Sequence, residues 1–171
     1  VGDYYALNIS CPNAYGGESF TDPNLLQSLL LKLSYIKCQK PVYLKMPINL
    51  DWPNFNKILN VASKFEMIKG VIIGNLNKDY GALDFRDEAP GEFRGGLSGK
   101  PCADISNKLT RQTKSFYKDR FTIIGCGGVL SPEDAAEKMK AGADLVALIT
   151  SLIFNGPGFV KELARWYSKS V

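Results

Sequence analysis

The sequence predicts a parallel α/β domain. Three observations carry this: five short apolar runs, four amphipathic stretches of helical length between them, and glycine or polar residues at the end of each run. Runs that are apolar almost throughout suit parallel strands covered on both faces. Their alternation with helical patterns is the signature of repeated βα units. The chain has 171 residues, 45% of them apolar, enough for one domain with a packed core.

The first strand is expected over residues 4–9, where Tyr4-Tyr5-Ala6-Leu7 reads as a buried run that Pro12 stops. A helix over 22–37 follows, with Leu25, Leu26, Leu29, Leu30 and Leu33 at helical spacing. The second strand is 42–46, and the helix over 52–65 has Asp51 as N-cap and Pro53 in its first turn. Strand 70–74 comes next, then helix 104–117 and strand 122–125. Ser131-Pro132-Glu133-Asp134 opens the helix over 132–141 with a capping serine, a proline and two acids, and Gly142 stops it. The last strand is 145–149, followed by a short helix over 151–155 and a closing helix over 157–168. The linker from 75 to 103 is unusually long and rich in Gly, Pro and charge; such loops commonly act as lids or binding loops.

Composition narrows the function. The net charge of +4 is spread without a dense basic run, so a nucleic-acid surface is not indicated. No apolar run approaches the ~20 residues that span a bilayer. The chain opens Val1-Gly2-Asp3 without a basic leader, so no secretory signal is expected. It also lacks an initiator methionine, which makes a chain trimmed at its front one reading. Cys11, Cys38, Cys102 and Cys126 form no C-x-x-C zinc or redox motif; no metal is expected. A disulfide framework does not suit this size, which points to a reducing, cytoplasmic setting. Cys38 and Cys126 read as packing or surface thiols.

In parallel α/β sheets the site lies beyond the carboxyl ends of the strands. Here those ends carry Asn8, Cys11 and Asn13; Lys45; Asn75; Gly127 and Gly128; and Ile149, Thr150 and Ser151. The chain has no histidine, so Cys11 is the first candidate for a base near neutral pH, with a buried inert thiol as the plain alternative. Asn8 and Asn13 flank it with amides that suit a planar polar ring. Lys45 is either a snorkelling strand-tip lysine or a fixed charge beside a cofactor that becomes anionic. Gly127-Gly128 is either a tight turn or a cradle for phosphate, helped by the Thr150 region. Asn75 caps a turn or binds a ligand. Gly99-Lys100 lacks the pattern of a Walker A loop.

Together these motifs resemble the dihydroorotate dehydrogenases, FMN-dependent (β/α)8 TIM barrels of pyrimidine synthesis. Asn8-Ile9-Ser10-Cys11-Pro12-Asn13 looks like the family's base-bearing motif, and Gly95-Gly96-Leu97-Ser98-Gly99-Lys100-Pro101 like its flavin-contacting motif. Ile123-Ile124-Gly125-Cys126-Gly127-Gly128-Val129 resembles its phosphate turn. The resemblance implies that Cys11 takes a proton from C5 of (S)-dihydroorotate while hydride leaves C6 for the flavin, giving orotate. It implies that Asn8, Asn13 and Asn75 hold the pyrimidine. It implies that Lys45, Ser98, Gly99, Gly127, Gly128, Ile149 and Thr150 hold FMN.

The resemblance also implies that residues 1–171 form a partial barrel of about five C-terminal βα units, strands four to eight. With the edges of its sheet open, the isolated chain would bind FMN weakly or not at all, or would pair through those edges with another copy as a homo-oligomer. A cysteine base is typical of the soluble branch, whereas Gly-Gly-Leu-Ser-Gly-Lys-Pro looks like the membrane-linked branch, and Leu76 stands where threonine is often found. The electron acceptor therefore stays open among fumarate, a nicotinamide-linked subunit and a quinone, with membrane association expected for the last. The rival expectations are a dihydropyrimidine dehydrogenase-like barrel, a flavin-free phosphate barrel and an inactive structural half-barrel.

Overall fold

The computed structural model describes residues 2–10, 19–36, 38–82 and 95–170. Five strands form one sheet: β1 (Tyr5–Asn8), β2 (Val42–Met46), β3 (Ile68–Ile73), β4 (Thr122–Cys126) and β5 (Leu145–Ala147). Each pairs in parallel with the next, in the order β1-β2-β3-β4-β5. Sequential order without a reversal is that of a barrel wall rather than of a doubly wound sheet.

The connecting helices are α1 (Pro23–Ser34), α2 (Trp52–Ser63), α3 (Ala103–Tyr117), α4 (Pro132–Lys140), the short α5 (Thr150–Asn155) and α6 (Gly158–Ser170). Their starts are set by local chemistry. Asp22 accepts from the backbone N–H groups of Asn24 and Leu25, and Asp51 from that of Asn54. Ser131 and Asp134 form a reciprocal capping box at α4. Caps of this kind contribute about 1 kcal/mol each. The 3-10 turns at Ser19–Thr21, Tyr80–Ala82 and Lys100–Cys102 were not expected.

Alternation along β2 divides the sheet into two faces. Val42, Leu44 and Met46 are buried against the helices, while Tyr43 and Lys45 point to the other face. The core joins Leu44, Val71 and Ile123 to Leu26 and Leu30 of α1, Phe55, Ile58 and Leu59 of α2, and Leu109 of α3. Arg120 secures this layer from below, donating to the carbonyls of Ser63, Phe65 and Ile68 at 2.8–3.1 Å.

Two expectations need correction. β1 is not a buried strand: Tyr5 is 50% exposed, and in β5 Leu145 is 55% exposed. Both are edge strands with one neighbour each, whereas on the inner strands Ile72 and Ile124, on the Lys45 face, are buried. Some boundaries also move. β3 starts two residues early and ends at Ile73, and β5 ends at Ala147 because Ile149 already caps α5.

Candidate functional site

The carboxyl ends of β1, β2 and β3 meet in a polar cluster. Asn8 closes β1 opposite Lys45 of β2. Ser10 is buried two residues on; its hydroxyl donates to the Lys45 carbonyl at 3.1 Å. Asn75 follows β3, and its Nδ2 donates to Ser10 Oγ at 2.6 Å and to Asn8 Oδ1 at 3.3 Å. The Asn75 Oδ1 accepts from the N–H of Leu76, which sets the orientation of the amide. The structure thus brings together Asn8, Asn75 and Lys45, three of the residues singled out in the sequence. Ser10 was not singled out, although it lies in the same motif. Cys11 and Asn13 lie outside the described residues.

Lys45, Ser98, Gly99, Gly127, Gly128, Ile149 and Thr150 all line one cleft, together with Asn75, Cys102 and Cys126. Its cavity of about 110 Å³ is small beside the ~300–1,000 Å³ of small-molecule sites, so it suits one end of a larger ligand. Among the described residues no carboxylate lines it. Among the described residues the Lys45 ammonium has no hydrogen-bond or ion-pair partner. A second cavity of about 240 Å³, lined by Ser10, Pro47, Asn49 and Lys78, lies beside the first. Asn75 and Leu76 border both.

The turn after β4 is built for close approach. Gly127 and Gly128 have φ of 93° and 79°, a region that L side chains rarely adopt. A Cβ on Gly128 would lie 2.4 Å from that of Ala103 at the start of α3. Thr150 opens α5, and its methyl group packs against Gly99. Next to it, Ser151 is fully buried and its Oγ has no hydrogen-bond partner. Two glycines with positive φ and the threonine that opens α5 make a turn that an anionic group such as a phosphate could approach closely.

The linker between β3 and α3 is anchored at both described ends. Asn77 and Leu97 exchange backbone hydrogen bonds at 2.8 and 2.7 Å. The Asn77 side chain, fully buried, accepts from Asn49 Nδ2 and the Asp79 N–H and donates to the Pro101 carbonyl. Cys102 Sγ contacts the Leu97 carbonyl at 3.2 Å, and burial pushes its thiol pKa up. A thiol held protonated in this way is a packing group, which leaves Lys45 as the charged side chain of the cleft.

The chain resembles known proteins over nearly its whole length. The family model described as dihydroorotate dehydrogenase matches residues 1–169. The dihydroorotate dehydrogenase (quinone) of Nostoc punctiforme is 33% identical over 169 residues, covering 95% of this chain and 45% of the relative. That of Delftia acidovorans is 35% identical over 171 residues, covering 95% and 48%. The chain therefore spans about half the length of the curated relatives it matches. A ligand-free DHODH from Eimeria tenella superposes with a TM-score of 0.82 at 23% identity, over 94% of this chain and 49% of that one, and shows the shared fold. The five-stranded sheet is thus part of a TIM-barrel wall, and the chain belongs to the dihydroorotate dehydrogenase family.

Proposed function

We propose that the protein carrying this chain oxidises (S)-dihydroorotate to orotate in pyrimidine biosynthesis, with FMN as cofactor and a quinone as electron acceptor, and that the chain supplies strands four to eight of the barrel. The single observation that carries it is the placement of the Lys45 ammonium, unpaired among the described residues, and the Asn8–Asn75 amide pair at one end of the sheet, beside a glycine-lined cleft. The choice of quinone rests on the names of the relatives. Among the described residues no helix is long and apolar enough to cross a membrane.

FMN, when bound, supplies a hydride acceptor. Gly127, Gly128 and Thr150 would hold its phosphate, with Ser98, Gly99 and Ile149 along the cleft. Lys45 would lie beside the bound cofactor and supply a positive charge to stabilise its reduced, anionic form. Asn8, Asn13 and Asn75 orient the planar pyrimidine, which aligns the reacting carbon before transfer. Cys11 takes the proton at C5, and its thiol acts once neighbours bring its pKa toward neutral.

The test is Cys11→Ala in the longest natural form of the protein. Orotate binding is expected to persist while dihydroorotate turnover falls by roughly 10²–10⁴, the usual contribution of a general base. Unchanged turnover removes the role from Cys11.

A further inference from the structure

Among the described residues Lys138, on α4, is the one buried charged side chain, 1% exposed. Gly125 of β4 makes room for it: a Cβ there would lie 2.4 and 2.6 Å from the lysine Cγ and Cδ. The aliphatic stem crosses the strand at this glycine and carries its ammonium to Ser106 Oγ, 3.1 Å away. Ser106, also fully buried, lies 3.0 Å from the Ile73 carbonyl and 2.7 Å from that of Cys126. Its one proton serves the shorter contact. The Cys126–Gly127 peptide is trans, so the N–H of Gly127, which shares that peptide with the Cys126 carbonyl, points away from Ser106. Lys138, Ser106 and the Cys126–Gly127 peptide form a chain of dipoles ending at the turn that lines the cleft.

Among the described residues no carboxylate forms an ion pair with Lys138. The titratable groups that act on it are the Cys126 and Cys102 thiols and, more weakly, Asp134 and Asp104. A buried ammonium without a counter-ion is costly, and is retained most readily where a charge of opposite sign binds nearby.

We propose that Lys138 is a positioning residue for the anionic end of the cofactor, supplying through Ser106 the positive charge that the Gly127–Gly128 turn presents to a phosphate. This deepens the FMN assignment and rests on it. The side chain touches no ligand; it acts by orienting and polarising the Gly127 peptide and by its charge. Burial lowers its pKa to about 8, so the phosphate-specific part of binding weakens as pH rises above that value. A phosphate monoester has its second pKa near 6 and keeps a constant charge there.

The test compares FMN with riboflavin, which lacks the phosphate, on flavin-stripped protein in its longest natural form. Flavin fluorescence gives the two affinities for wild type, Lys138→Met and Ser106→Ala between pH 7 and 9.5. Wild type is expected to prefer FMN, with the preference falling as pH rises. In Lys138→Met the preference at pH 7 is expected to drop roughly tenfold, the effect of one charge at an effective dielectric near 20, and to become flat with pH. Ser106→Ala is expected to fall between the two. Lys138→Met should unfold no more easily than wild type, which separates lost charge from lost structure. An unaltered FMN preference and pH profile in a folded Lys138→Met overturns this proposal alone. Equal affinity of wild type for FMN and riboflavin, or binding of neither, overturns the phosphate assignment and this proposal with it.

Discussion

The Asn75 amide donates to the Ser10 hydroxyl at 2.6 Å, joining residues 65 apart in sequence at the ends of β3 and β1. The same hydroxyl reaches the Lys45 carbonyl of β2, so one buried serine ties three strand ends together. Asn75 is thereby held with its face between the two cavities.

Ser10→Ala leaves Asn75 Nδ2 with Asn8 alone and frees the Lys45 carbonyl. The expected cost is about 1–2 kcal/mol, a fall of about 2–8 °C in Tm for a chain of this size. Orotate affinity should fall with it, because the amide is no longer held in place. Calorimetry and an orotate titration check both, and unchanged orotate affinity would show that Asn75 is not positioned by Ser10.

Gly128→Ala and Gly156→Ala form a matched pair. Both glycines have positive φ, 79° and 71°, but a Cβ meets Ala103 at Gly128 and nothing within 4 Å at Gly156. Gly156→Ala should cost only backbone strain, about 1–3 kcal/mol, because its φ of 71° goes with a ψ of 179°, a region essentially confined to glycine. Gly128→Ala adds steric overlap and should cost about 2–5 kcal/mol. Urea denaturation of the two variants tests the difference; equal losses would contradict the packing described for the turn.

Lys138 makes stability depend on alkaline pH. Its folded pKa, about 8, lies below the ordinary 10.5, so between these values the unfolded chain binds more protons than the folded one. Stability therefore carries the full burial penalty below about pH 8 and gains as pH rises toward 10.5. Tyr117 and Cys102, whose pKa values burial raises, act in the opposite sense. Comparison of urea midpoints for wild type and Lys138→Met at pH 7.5 and 9.5 isolates the lysine. The advantage of the variant should shrink at the higher pH, and a constant gap would place the ammonium in contact with solvent.

Arg120→Ala removes the donors that hold the carbonyls of Ser63, Phe65 and Ile68, where α2 turns into β3. The guanidinium also lies 4.6 Å from the centroid of the Phe121 ring. A loss of about 2–4 kcal/mol is expected, with little recovery in Arg120→Lys, because an ammonium cannot span the same acceptors. Chemical denaturation measures both variants.

Much of this molecule was legible from local pattern. The five strands, the capped starts of α2 and α4, and many of the residues lining the cleft follow from apolar runs and what ends them. What escaped depends on contacts between distant segments. Lys138 stands between Glu137 and Met139 in a helix rich in charge, and nothing beside it marks it as buried. Its only trace was Gly125, a glycine inside a strand. Asn77 looked like any loop residue, yet it is held by Asn49 and Pro101 from either side. The exposure of β1 and β5 was hidden for a related reason: an apolar run does not distinguish an edge strand, with one neighbour, from an inner strand with two.

The most direct measurement of the proposed chemistry is anaerobic reduction of the flavin-loaded protein, in its longest natural form, by (S)-dihydroorotate and by dihydrouracil. Dihydroorotate should bleach the oxidised flavin absorbance stoichiometrically and yield orotate, while dihydrouracil should leave it unchanged. Bleaching by dihydrouracil alone, or by neither, contradicts the assignment.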